Sequence, residues 1–163
     1  MKKLNSYLIA EIGLAHYGSL GIAKSFVKKA FINGADAVKF QYHNSLYESS
    51  SKEKFRKKFS DQDKTRKDYW NRTSFKTEDW INLRKYCKKI GIDFICSPFS
   101  IESAKELNKL NLDYWKIASG EFNNLLLLEY IIFNSNKPII LSTGLANEIE
   151  IRKITNFLKK NKK

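Results

Sequence analysis

The sequence predicts an α/β chain of five successive βα units, the layout of a (β/α)8 barrel followed as far as its fifth helix. Three observations predict it. Short apolar runs alternate with helix-period segments along the whole of the 163-residue chain. Each run ends in a small or polar cluster: Ala10-Glu11-Ile12-Gly13, Lys39-Phe40-Gln41, Cys96-Ser97-Pro98-Phe99, Lys116-Ile117-Ala118-Ser119-Gly120-Glu121 and Leu141-Ser142-Thr143-Gly144. These clusters end every strand rather than gathering at one turn, and the first strand-to-helix turn lacks G-x-G-x-x-G. Both features argue against an open doubly wound sheet, for which five strands would otherwise suffice. A closed barrel takes eight units, typically over about 250 residues, so the expected architecture is a partial TIM barrel.

The elements follow in order. Ser6 to Ile12 reads as the first strand, then a loop with Gly13 and Gly18, then a helix from Ser19 to Asn33. Ala23, Phe26, Val27, Ala30 and Phe31 keep helical spacing there while Lys24, Lys28 and Lys29 face outward, and Asn33-Gly34 ends it. Ala35 to Gln41 is the second strand. Tyr42 to Lys76 is a long polar connection, a length that in compact domains belongs to functional or mobile loops. Thr77 then caps a helix whose Trp80, Leu83, Cys87 and Ile90 form one face, with Gly91 as its stop. The remaining elements are strand Ile92 to Cys96, helix Ile101 to Leu110, strand Asp113 to Ala118, helix Leu125 to Asn134, strand Pro138 to Leu141 and helix Asn147 to Lys160.

An apolar content of 42% with only 2 Pro and 7 Gly predicts one well-filled domain without linkers. The longest apolar runs are too short to span a bilayer, and Met1-Lys2-Lys3 precedes too little apolar sequence for a signal peptide, so a cytoplasmic location is expected. Cys87 and Cys96 have neither metal-ligand nor redox spacing and read as reduced core residues. The net charge of +13 is spread over helix surfaces, with denser patches at Lys52 to Lys58, Lys64 to Lys67 and Lys159 to Lys163. Without a nucleic-acid module to accompany it, that charge reads as solvated surface, and nucleic acid is not an expected partner.

Function in such folds gathers at the carboxyl ends of the strands. Glu11 ends the first strand and reads as an acid/base or hydrogen-bonding group facing the site, or as the partner of a strand lysine. Lys39 and Gln41 alternate and so share a face. Lys116, Ser119 and Glu121 read the same way on the fourth strand. A lysine in a strand is costly to bury unpaired, so each either bridges to Glu11 or Glu121 or holds an anion. Two inward lysines with Ser97, Ser119 and Ser142 supply cationic charge and hydroxyl donors for phosphate or carboxylate. His16 and His43 read as ordinary loop residues and make a weak metal site, and Trp70, Trp80 and Trp115 read as packing. The same residues leave open a Schiff-base aldolase with Lys116 as nucleophile, and a non-catalytic remnant or basic anion-binding protein.

Five stretches in order and spacing resemble the sialic acid synthase (N-acetylneuraminate synthase) family. They are Ala10-Glu11-Ile12-Gly13 with His16 and Gly18-Ser19-Leu20; Gly34-Ala35-Asp36-Ala37-Val38-Lys39-Phe40-Gln41; Ser97-Pro98-Phe99-Ser100; Lys116 to Glu121; and Ile140-Leu141-Ser142-Thr143-Gly144. The long connection, through Phe59-Ser60 to Asp68-Tyr69-Trp70, also looks like the family's second one. The resemblance implies condensation of phosphoenolpyruvate with an N-acetylated amino sugar, typically N-acetylmannosamine, to a nine-carbon sialic acid and phosphate. It implies that Lys39, Ser97, Lys116, Ser119 and Ser142 contact phosphoenolpyruvate, that Glu11 meets the amino sugar, and that Gln41, Phe99 and Glu121 complete the pocket. Ser97 stands where the family often has threonine, and Ala15 replaces the Asn of its usual Asn-His pair. It further implies a homodimer, and a divalent metal, Mn or Mg, held by two histidines of later strands that activates the sugar aldehyde. Those strands and the antifreeze-like C-terminal domain are absent from residues 1–163. The expectation is an N-terminal part of the barrel domain, inactive alone and completed by a separately encoded C-terminal piece.

Overall fold

A computed structural model describes residues 6–55, 57, 58 and 60–161; Met1-Lys2-Lys3, Phe59 and the last two lysines of the tail lie outside them. Five parallel strands, β1 (Ile9–Gly13), β2 (Ala37–Tyr42), β3 (Asp93–Pro98), β4 (Tyr114–Ile117) and β5 (Ile139–Leu141), lie side by side in sequence order. The helices between and after them are α1 (Leu20–Ile32), α2 (Ser45–Glu48), α3 (Arg66–Thr73), α4 (Thr77–Ile90), α5 (Ile101–Asn108), α6 (Leu125–Asn134) and α7 (Glu148–Asn161). Sequential parallel order with a helix at every crossover is the arrangement of a (β/α)8 barrel wall, here five strands wide. Among the described residues β1 and β5 each pair on one side only.

Alternation along the strands decides the two faces of the sheet. Val38, Phe40, Phe94, Cys96, Trp115 and Ile117 point to one face and are buried, packed with Ala23 and Val27 of α1, Trp80, Leu83 and Cys87 of α4, Leu107 of α5 and Leu127, Leu128 and Ile131 of α6. Burying each large side chain contributes about 1.5–3 kcal/mol, so this layer holds the sheet to its helices. The polar positions are left for the other face. At its amino end Tyr7 donates to Asp93 and its ring tilts against Tyr114, so the carboxyl end remains for the site. Among the described residues no helix is long and apolar enough to cross a membrane.

Two expectations need correction. The connection after β2 is not one loop: it contains α2 and α3. Helix α3 is short and mostly polar, so it has little periodicity to betray it; its one local signal is the reciprocal cap of Thr65 and Asp68. Secondly, β4 ends at Ile117, and Ser119–Glu121 form a 3-10 turn rather than the end of the strand. His16 lies in the β1–α1 loop, as expected for a loop residue, and packs into the core from there. It is fully buried, stacked on Phe75 at 4.1 Å, and burial lowers its pKa to about 4.

Candidate active site

The polar face is built by register. Glu11 stands opposite Lys39, Lys39 opposite Ile95, Gln41 opposite Ser97, and Lys116 opposite Ile140. Partners in a parallel ladder share a face, so Glu11, Lys39, Gln41, Ser97 and Lys116 project together, with Ser142 two residues beyond Ile140. Lys39 is 9% exposed and pairs with Glu11, whose side chain is about half exposed. Lys116 donates to the Ser142 hydroxyl and, at 2.8 Å, to its neighbour's carbonyl at Ile117. Among the described residues no carboxylate lies within ion-pair distance of it. Burial holds the Lys116 pKa below its ordinary value, and the Lys39 ammonium pushes it lower still, against a smaller opposing pull from Glu11. Two cations from the non-adjacent strands β2 and β4 therefore act on one another across the same face.

Beside them opens a cavity of about 870 Å3. Leu14, Ala15 and Tyr17 from the β1–α1 loop, Gln41 and His43 from the end of β2, Arg66, Tyr69 and Trp70 from α3, Phe99 after β3 and Glu121 from the 3-10 turn line it. The β1–α1 loop reaches α3 because Gly18, at φ +79°, carries no side chain: a Cβ there would stand 2.5 Å from the Arg72 carbonyl oxygen. At the wall, His43 is stacked between Trp70 (ring centroids 4.5 Å apart) and Phe99 (4.0 Å), and its Nδ1 meets Glu48 at 2.7 Å. Arg66 lies over the Trp70 ring and pairs with Glu53. Glu121 accepts from Asn124, the cap of α6, at 2.8 Å.

Of the residues singled out in the sequence, Glu11, Lys39, Gln41, Ser97, Lys116 and Ser142 come together on the sheet face, and Gln41, Phe99 and Glu121 line the cavity. Ser119 faces a separate cavity of about 220 Å3 with Phe122 and Leu145. Sequence reasoning missed His43, Trp70, Tyr69, Arg66 and Tyr17. The signal available for His43 was its position, two residues beyond Gln41 in the alternation begun by Lys39. His16 serves the site from behind, its Nδ1 accepting the Gly18 N–H at 3.2 Å. Among the described residues no group of three or more His, Cys, Asp or Glu side chains is gathered to hold a metal ion, so the residues present do not fit the divalent cation that the resemblance implies.

The family model for the NeuB family matches residues 26–163. The chain belongs to that family. It is 38% identical over 164 residues to the N,N'-diacetyllegionaminic acid synthase of Campylobacter jejuni, an alignment that takes in 99% of this chain and 48% of that protein. With the pseudaminic acid synthase of the same species identity is 37% over 160 residues, covering 96% of this chain and 46% of the relative. Among solved structures, the N-acetylneuraminic acid synthetase of Leptospira borgpetersenii in complex with citrate superposes with a TM-score of 0.77 at 28% identity, over 95% of this chain and 50% of that one. The chain thus spans under half the length of these two curated NeuB-family relatives.

Proposed function

We propose that the chain forms the phosphoenolpyruvate-binding wall of a synthase that condenses phosphoenolpyruvate with an N-acetylated amino sugar to a nine-carbon sugar acid and phosphate. The observation that carries the reading is the pair Lys116 and Lys39. Lys116 is a half-buried cation without a carboxylate partner among the described residues, Lys39 a buried cation on the same face, and both stand beside a cavity walled by aromatic rings and polar groups. Its relatives, the synthases of legionaminic and pseudaminic acids, support it.

In this reading Lys116, Ser142, Lys39 and Ser97 hold the phosphate and carboxylate of phosphoenolpyruvate, and Glu11 turns its exposed carboxylate to the sugar. The open-chain sugar occupies the aromatic cavity with its aldehyde toward the C3 of phosphoenolpyruvate. C3 attacks the aldehyde carbon, forming the new C–C bond; water adds at C2, and phosphate leaves with cleavage of the C2–O bond. Prepositioned charge and fixed geometry supply the acceleration that these residues can give. The two buried free cysteines suit a reducing cytoplasm.

Titration calorimetry of phosphoenolpyruvate into the purified chain tests the reading. Lys116→Met removes a charge-assisted bond of about 1.5–3 kcal/mol, and affinity should fall by at least tenfold. Unchanged affinity would overturn the assignment. Borohydride treatment with pyruvate should leave no adduct on Lys116, whereas a trapped adduct would establish the Schiff-base aldolase instead.

A further inference from the structure

We propose that His43 reads a hydroxyl of the amino sugar through its Nε2, with Glu48 fixing the ring, and so helps set which sugar the cavity accepts. The inference rests on the cavity being the sugar side of the proposed synthase site.

His43 is held on every side but one. Trp70 covers one face of the imidazole with the planes 9° apart, and Phe99 covers the other at 18°. Two rings both parallel to the imidazole and about 4 Å from it cannot share a face. Nδ1 is taken by one oxygen of Glu48 at 2.7 Å. That carboxylate cannot swing away, because its other oxygen accepts from the Asn44 N–H at 2.9 Å, the Ser103 hydroxyl at 2.8 Å and the Ser100 hydroxyl at 3.3 Å. Ser74 ties the His43 carbonyl to the end of α3 at 3.3 Å. The His43 side chain is still 8% exposed, and the residue lines the cavity, so the Nε2 edge is what it presents there. Among the described residues nothing bonds to that nitrogen. His16 makes the contrast: its Nε2 is also unbonded, but it is sealed in the core.

The chemistry of the open nitrogen follows from its partner. With Nδ1 given to a carboxylate, Nε2 is the open polar edge of the ring, an acceptor in the neutral form and a donor in the charged one. The partner that matches this fixed nitrogen between aromatic walls in either form is a substrate hydroxyl, which both donates and accepts. A sugar that lacks it, or presents it at the other configuration, leaves the nitrogen unpaired, and such a mismatch discriminates strongly between close analogues.

The chain has only two histidines, so long-range proton–nitrogen NMR resolves both rings, with buried His16 as an internal control. Addition of N-acetylmannosamine is expected to move the Nε2 resonance of His43 and to leave that of His16 unchanged. Asn mimics Nδ1 and lacks Nε2, while Gln mimics Nε2. His43→Asn should therefore weaken N-acetylmannosamine binding at least tenfold and His43→Gln less, with phosphoenolpyruvate affinity kept in both. Equal losses of both ligands in both variants would overturn the proposal, as would a sugar-induced shift at the Trp70 indole without one at His43. If the sugar moves neither Trp70 nor His43, the reading of the cavity as a sugar site fails, and this inference with it.

Discussion

Lys39 and Glu11 face each other in register across β2 and β1 and close an ion pair on the polar face of the sheet, while Lys116, two strands away, has among the described residues only a hydroxyl and a carbonyl for partners. The two cations are therefore unequal. Lys39 arrives with its counterion, whereas Lys116 stands ready to take one from a ligand. Glu11→Gln removes a negative charge from the anion site and releases Lys39. Phosphoenolpyruvate should bind more tightly to that variant, by a few-fold at low salt, with the gain shrinking as salt rises. Calorimetry at two ionic strengths measures it; weaker binding would mean that Glu11 holds the lysines in place rather than competing with the ligand.

The pH dependence of binding follows from Lys116. Its pKa lies below the ordinary 10.5 because of burial first and the Lys39 ammonium second. A bound anion favours the ammonium, so binding should take up a proton above the lowered pKa, and affinity should fall as pH rises through it. Calorimetry in two buffers of different ionisation enthalpy reads that proton directly. For the unliganded chain the sign is opposite. Between the lowered pKa and 10.5 the unfolded state binds more protons at this site, so the Lys116 contribution to stability should rise with pH in that window and vanish in Lys116→Met. Urea unfolding midpoints across the alkaline range test it.

Gly18→Ala should destabilise the chain. The position combines φ +79° with a Cβ that would meet the Arg72 carbonyl oxygen at 2.5 Å, and backbone cannot give way as a side chain can. Strain of this kind costs about 1–3 kcal/mol. Denaturant unfolding gives the number. Ligand binding should weaken as well, since the same contact seats the β1–α1 loop against α3 at the cavity wall. Loss of stability below about 0.5 kcal/mol would show that the loop moves freely away from α3.

The 163-residue chain expressed by itself should self-associate and show no synthase turnover. The strands β1 and β5 offer unpaired N–H and C=O groups among the described residues, and Ile22 and Phe26 on α1 and Leu126 and Phe133 on α6 are exposed apolar side chains. Sedimentation at micromolar concentration should give species larger than a monomer. A sharp monomer peak together with turnover would refute both halves; turnover that appears on adding a separately encoded C-terminal piece would identify a split enzyme.

The sequence by itself determined the order of the five units and the face to which Lys39, Gln41, Ser97 and Lys116 point, because strand period and strand-end chemistry are local properties. The expectation of an anionic ligand came from the same local pattern: lysines inside apolar runs need a counterion wherever the sheet places them. Only the tertiary structure decided which lysine already has one, since Glu11 could have reached either and the parallel register gave it to Lys39. The cavity wall was likewise undecidable from local pattern. His43 and His16 look alike as lone histidines past strand ends, and their difference is made by residues distant in sequence. Phe75 and the core enclose one, while Trp70, Phe99 and Glu48 hold the other open to the cavity. Stacking and burial join segments whose neighbourhood exists only after the chain has folded, which is why strand periodicity located the lysines and could not locate the pocket beside them.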